Sequence, residues 1–295
     1  MNTSRSVVEI VPTHIVTEGG GFKVRRPFRM GKVMSPFLLI DEMGPVNYGP
    51  GEAVGAPWHP HRGFETVTYL LDGRMRHEDS AGNQGELNPG DVQWMTAGRG
   101  IIHCEEPHEE ILRDGGRTHG FQIWVNLPAS HKMMRPRYQE VPSSESPTVE
   151  KNGVWARVIA GECMGEQSAI DTKIPISLIH VKMNSGSRLS QELESGLNGM
   201  IYVFGGEIEI ENETKVKLSP VAFGMRAKQQ IKDGELGLLS EGDVISIKSK
   251  SDSEFLILAG PELNEPISRY GPFVMNTREE IEQAFIDYRN GNFVS

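Results

Sequence analysis

HPHRGFETVTYLLDG, residues 59–73, and GDVQWMTAGRGIIHCE, residues 90–105, decide how this chain is read. In the first, ETVTYLL alternates β-branched and apolar residues and ends at the turn pair Asp72-Gly73, which is a strand and its stop. On extended backbone, side chains at i and i+2 share a face, so His59 and His61 present two imidazoles together. Pro60 between them removes a backbone donor and places them at a sheet edge or a strand entrance. The second stretch repeats the device. VQWMT reads as a strand, and His103 and Glu105 share a face while Cys104 points away.

Two such pairs facing one interior offer three neutral nitrogens and one carboxylate to a single cation. Imidazole with carboxylate suits Fe, Mn, Co, Ni, Cu or Zn without any thiolate. The set follows the logic of non-haem iron oxygenases, whose usual site is two histidines and a carboxylate with open positions. The distribution of histidine supports a site in the first half: of nine in the chain, eight precede residue 132 and only His180 follows.

Working outward, the same short alternating segments recur at Val92–Thr96, Phe121–Leu127, Ile176–Met183, Glu207–Glu211 and Phe255–Ala259. Turn residues bound them, as at Pro89-Gly90-Asp91 and Glu241-Gly242-Asp243. With 33 Gly and 18 Pro, many short strands and frequent turns argue for sandwiches or barrels. The C-terminus differs. Thr277 with Glu280 forms a capping box, Ile281, Ala284, Phe285 and Tyr288 fall on one helical face, and Asn290-Gly291 is a stop. That helix, residues 277–290, is expected to dock on a barrel.

The polar, Pro- and Ser-rich stretch QEVPSSESPTVEKN, residues 139–152, reads as a linker between residues 1–138 and 153–295. A repeat spans it. Tyr69-Leu-Leu-Asp-Gly73 resembles Tyr202-Val-Phe-Gly-Gly206, and Asn88-Pro-Gly-Asp-Val92 resembles Ser240-Glu-Gly-Asp-Val244. Tyr69 to Asp91 is 22 positions and Tyr202 to Asp243 is 41, so the second copy carries 19 extra residues around Asn212–Glu235. Transferring the ligands by these anchors puts Glu192 and Glu194 at the first pair and Phe255 and Ile257 at the second. The second barrel is therefore expected to hold no comparable metal.

At 295 residues with 37% hydrophobic and 24% charged residues, the chain has an ordinary globular composition and room for two domains. Its net charge of −10 repels nucleic acid and anionic membranes, so no direct nucleic-acid partner is expected. Cys104 and Cys163 cannot form a disulfide framework. Glu9 interrupts the only apolar run near the N-terminus, and no stretch approaches the ~20 apolar residues of a membrane span. A soluble cytoplasmic protein is expected. Gly98-x-Gly100 is not a phosphate loop, and no Gly-x-Ser-x-Gly elbow occurs.

Gly55-x3-His59-x-His61-x3-Glu65, then Pro89-x-Gly and His103, resembles the two cupin motifs, and the wording around them resembles the pirin family of bicupins. FKVRRPF at 22–28, WVNLP at 124–128, RVIAGE at 157–162 and NEPISRYGPFVMNTREEI at 264–281 extend the resemblance over nearly the whole chain. It implies an all-β fold: two tandem jelly-roll-like cupin barrels with a C-terminal helix. It implies metal ligands at His59, His61, His103 and Glu105, with Fe(II) as the usual ion. Glu65 stands where many other cupins place their carboxylate ligand; here it is expected either to orient a ligand imidazole and, with Glu105, to serve as proton acceptor, or to be a solvated or structural carboxylate. Gln122, Trp124 and Asn126 are candidates for the cavity mouth or for core packing and turns, His77 and His119 for support of the ligands or for surface or core positions, and Cys104 for a buried inert thiol ahead of a redox-sensing one. Several pirin-like proteins open flavonols with dioxygen as quercetin 2,3-dioxygenases, and pirins also resemble redox-sensitive regulators that bind partner proteins. An open, partly apolar cavity at the metal separates the first role from the second.

Overall fold

The computed structural model describes residues 3–28, 34–211 and 229–294. The stretch 212–228, which holds most of the expected insertion, lies outside the described residues. The chain forms two compact units. Each is a double-sheet β structure, matching the two cupin barrels that the resemblance implies.

The first unit comprises Ile15–Arg26, Pro36–Glu145 and Leu263–Ser295. Its larger sheet runs Arg137–Val141, Val92–Thr96, Phe64–Asp72, Gly116–Asn126, Phe37–Tyr48 and Phe22–Pro27 in spatial order. Its smaller sheet runs Ala56–His61, Ile101–Pro107, Met75–Asp79 and Gln84–Leu87. The His59 strand is thus an edge strand, where the missing amide of Pro60 costs no ladder bond. Phe64–Asp72 is buried along its first seven residues because it lies between two neighbours of the larger sheet.

The second unit comprises Met1–His14, Pro27–Ser35 and Ser146–Glu262. Its small sheet, Arg188–Glu192, Val244–Ser249, Glu207–Glu211 and Gln230–Lys232, repeats the pattern of the first. This topology corrects the register of the repeat. Val244–Ser249 pairs with two neighbours in the small sheet, as Ile101–Pro107 does in the first unit. The Glu241-Gly242-Asp243 turn therefore leads into the counterpart of the His103 strand, whereas Pro89-Gly90-Asp91 leads into the larger sheet. Phe255 and Ile257 lie on a larger-sheet strand and are not the counterparts of His103 and Glu105. The counterpart strand carries Ile245 and Ile247, opposite Gln191 and Leu189. Those two isoleucines and Leu189 are buried in one aliphatic cluster with Val203 and Phe255. Close packing of branched side chains fills the space that the first unit leaves open for chemistry.

Two expected boundaries are also corrected. The stretch 139–152 is not an open linker, since Arg137–Val141 and Thr148–Lys151 are strands of the first and second units. The C-terminal residues do not stay with residues 153–262. Leu263–Ser295 belong to the first unit. The helix spans Arg278–Arg289 with the Thr277–Glu280 capping box formed as read. Its buried Ile281 and Ala284 pack with Phe273, Met275 and Phe293. This segment is tied down by polar contacts as well. Lys132, fully buried, donates from Nζ to Gly63 O at 2.8 Å, Asn126 Oδ1 at 2.7 Å and Val274 O at 3.0 Å. Gly63 has φ of 89°, and a Cβ there would sit 2.0 Å from Val274 O, so only glycine allows this close approach.

Candidate metal centre

His59 and His61 come from one strand and His103 from its neighbour, with His59 directly opposite His103 in the antiparallel ladder. Cross-strand partners share a face, so the three rings converge. Their ring centroids stand 4.3–5.0 Å apart, and among the described residues they form a group whose ligand nitrogens lie within 4.8 Å of one another. The neighbouring strand approaches closely because Gly55 has no Cβ; one there would meet Glu105 O at 2.4 Å.

The outer nitrogens decide what the inner ones can do. His59 Nδ1 is 2.7 Å from Pro57 O, and His61 Nδ1 is 3.3 Å from Pro272 O. A carbonyl only accepts, so both Nδ1 atoms carry the proton. Burial, with His59 adding to it at His61 and His61 at His103, holds His61 and His103 well below the ordinary imidazole range. Both are neutral at pH 7, which is the form that binds a metal. With its proton on Nδ1, a neutral ring has only a lone pair at Nε2. His59 Nε2 and His61 Nε2 stand 3.0 Å apart, and with both rings in that form the two lone pairs face each other. His103 Nε2 is buried with no hydrogen-bond partner. Three converging lone pairs repel unless a cation or a hydrogen-bond donor lies among them. Two nitrogens bound at right angles, each ~2.1 Å from one ion, stand ~3.0 Å apart. The residues fit a divalent transition metal.

Glu105 reaches the same region on the His103 strand but is held away from the three nitrogens. Its Oε1 lies 2.7 Å from Thr68 Oγ1, and its Oε2 accepts from Gln122 Nε2 at 3.2 Å. Thr68 and Gln122 are cross-strand partners, which places both next to the carboxylate. Thus the structure brings three of the four expected ligands together and sets the fourth beside them.

Of its two expected places, Glu65 takes the structural one and not that of a ligand-orienting group. Its side chain is fully buried, accepts from Thr96 Oγ1 at 2.6 Å and lies 3.9 Å from Arg137. Side chains alternate along a strand, so Glu65 faces away from Thr68 and stands outside the cavity lining. The ligand imidazoles are oriented by Pro57, Pro272 and His77 instead. His77 is one of the two histidines that the sequence offers for ligand support, whereas Pro272 comes from the C-terminal segment, 211 residues from His61, and carries no spacing signal. His119 forms a buried pair with Glu42 at 3.0 Å, and His180 pairs at 2.9 Å with the half-buried Glu254, so each is a structural histidine. Cys104 is buried, and burial with nearby Glu106 and Glu78 raises its thiol pKa.

His59, His61 and Glu105 open onto a cavity of about 490 Å³, and His103 lies beneath it. That volume falls within the ~300–1,000 Å³ of small-molecule sites. Phe22, Leu39, Met43, Trp58 and Trp124 supply apolar walls. Trp58 is 52% exposed. Gln122 and Trp124 line the cavity as expected, but Asn126 turns to Lys132. Trp124 is fixed by Phe64 at 4.3 Å and by the Arg269 guanidinium 4.7 Å over its ring. Arg26, on the same lining, is bound by Asp41 and Glu18.

The family model for pirin matches residues 21–125, and that for the pirin C-terminal cupin domain matches residues 178–294. Human pirin is 41% identical over 98% of this chain and 94% of its own length. Pirin-like protein 2 of Arabidopsis thaliana is 38% identical over 98% of this chain and 85% of its own. The crystal structure of quercetin 2,3-dioxygenase from Acinetobacter baumannii superposes with a TM-score of 0.89 at 35% identity, covering 99% of both chains.

Proposed function

The chain belongs to the pirin family, and from that premise we propose that it is a metal-dependent dioxygenase that opens planar aromatic substrates of the flavonol type. The observation that carries this reading is the set of converging imidazole lone pairs at an open, largely apolar cavity. A purely regulatory metal site has no need of a cavity of this size. The reading is also supported by the similarity to the Acinetobacter baumannii enzyme.

In this reading His59, His61 and His103 hold the ion through Nε2, and Glu105 supplies the carboxylate. The ion is Fe(II); imidazole with carboxylate also accepts Ni, Mn, Co, Cu or Zn. When bound, it supplies Lewis acidity and open coordination positions. The residues of the chain do the rest. Glu105 accepts the proton of the substrate 3-hydroxyl, and Thr68 and Gln122 keep its carboxylate in place. Trp124 and Leu39 offer flat and apolar contact to the rings. The apolar walls exclude water and so strengthen each charge interaction within. We place the protein in the cytoplasm, consistent with two buried unpaired thiols. No helix among the described residues is long and apolar enough to cross a membrane.

The test is an anaerobic preparation loaded with Fe(II), mixed with quercetin and then oxygen, beside a His61→Ala variant. The expected result is stoichiometric loss of quercetin with oxygen uptake by the parent and at least a hundredfold slower loss by the variant. A parent that binds iron at one per chain and turns over no flavonol would shift the reading to a metal-dependent regulator of partner proteins.

A further inference from the structure

We propose that Asp79 and His77 act as positioning residues that fix the tautomer of His103, through a hydrogen-bonded chain running Asp79–His77–His103 toward the metal centre. The inference rests on the metal reading and extends it two residues outward. His103 differs from the other two imidazoles, whose Nδ1 atoms meet backbone carbonyls. Its Nδ1 meets another ring nitrogen, His77 Nδ1, at 3.4 Å. That contact alone does not say which ring holds the proton. The far end of the chain does.

His77 Nε2 lies 3.5 Å from Asp79 Oδ2, with both side chains 0–1% exposed. An ionised carboxylate only accepts, so His77 Nε2 carries a proton, and because His103 Nε2 has no hydrogen-bond partner, the bond between the two rings takes the His103 proton at Nδ1 and leaves the lone pair on His77 Nδ1. His103 Nδ1 must then donate to it, and the lone pair of His103 falls on Nε2. That is the buried atom with no hydrogen-bond partner, on the ring that clusters with His59 and His61. Each link permits one direction of donation, and the direction is set at Asp79.

The surroundings hold the chain in this order. Asp79 Oδ1 accepts from Ala81 N at 2.8 Å and Asn83 N at 3.0 Å, and Oδ2 accepts from Asn83 Nδ2 at 2.8 Å. Burial pushes the Asp79 carboxyl upward, but these bonds and His77 outweigh it and keep it below its ordinary value. Tyr138 stacks on His77 at 5.1 Å and 28°, which fixes the ring plane. The strand register explains the assembly: Asp79 is paired with His103, and His77 with Glu105, across one ladder. Support of this kind for a ligand imidazole is worth ~10–100-fold in metal affinity.

The test is anaerobic titration of the metal-free protein with Co(II) against a chelator, read by the visible ligand-field bands, for the parent, Asp79→Asn, His77→Phe and His77→Gln. Asn at 79 keeps the turn through Oδ1 but donates from Nδ2 to His77. The whole chain then reverses and puts a proton on His103 Nε2. Gln at 77 retains an oxygen that accepts from His103 Nδ1, whereas Phe retains only bulk. The expected result is one Co(II) per chain for the parent, ~10–100-fold weaker binding for Asp79→Asn and His77→Phe, and binding close to the parent for His77→Gln. The metal-free melting temperature and circular dichroism of each variant confirm that it is folded. Parent-like binding by folded Asp79→Asn and His77→Phe overturns the proposal. So does equal weakening by Phe and Gln, which would make His77 a packing residue. A parent that binds no Co(II) overturns the metal reading itself, and this proposal with it.

Discussion

His59 Nε2 and His61 Nε2 face each other across 3.0 Å because both rings place their protons on carbonyls behind them. That much of the site was half legible. The i, i+2 spacing of HPH and HCE gave the shared faces, but the carbonyl behind His61 belongs to Pro272, 211 residues away, which no local pattern connects to the histidines. Glu65 had two readings from its motif position, and strand alternation selects the structural one: its carboxylate lies with Thr96 and Arg137. Glu105 depends on Gln122 for one of its two hydrogen bonds. Replacing Gln122 with Leu removes a bond to a charged group, worth ~1.5–3 kcal/mol. The expected outcome is a fall in kcat of about tenfold or more with metal content unchanged, by steady-state kinetics beside metal analysis. Cys104, between two site residues, invites a redox role. Burial and its acidic neighbours raise its thiol pKa, so its thiolate fraction at pH 7 is below that of a free cysteine. Mass spectrometry after iodoacetamide treatment is expected to find Cys104 unmodified in the folded protein and modified after unfolding.

At the scale of elements, the C-terminal segment matters most. Its capping box, helical stripe and stop could all be read in the sequence, and the helix formed as read. Which unit it joins could not be read, because docking depends on contacts far apart in the chain. Lys132 is one such contact, holding Val274 of that segment with Gly63 and Asn126. Lys132→Met leaves three buried acceptors short of their donor and is expected to cost about 2 kcal/mol at pH 7. Burial pulls the Lys132 ammonium down to about 8 from its ordinary 10.5. Between these values the unfolded chain holds a proton that the folded chain has released. The cost of burying its charge therefore offsets part of what its three hydrogen bonds contribute, fully below pH 8 and less as pH rises toward 10.5. The stability gap between parent and Lys132→Met is expected to widen from pH 8 to pH 10, as measured by denaturant unfolding at each pH. The same segment supplies Pro272 O to His61 and Arg269 to the Trp124 face. A chain ending at Glu262 is expected to lose at least tenfold in metal affinity by chelator competition.

For the molecule as a whole, the sequence supported two β units from strand length, turn spacing and an internal repeat, and both are present. The repeat misled on detail. Gly-Asp turns recur before strands of either sheet, so matching one turn to another assigned the His103 strand to a larger-sheet counterpart. The topology instead pairs it with Val244–Ser249, where Ile245 and Ile247 fill the interior. One unit therefore offers converging ligand atoms and the other an aliphatic core. The central claim is a single metal ion held by His59, His61 and His103, and the most direct test is diffraction from metal-loaded crystals at the absorption edge of the ion. The account predicts one anomalous peak per chain, ~2.1 Å from each of the three Nε2 atoms. A peak elsewhere, a second peak in the unit of Ser146–Glu262, or no peak from crystals of protein that retains metal in solution would contradict it.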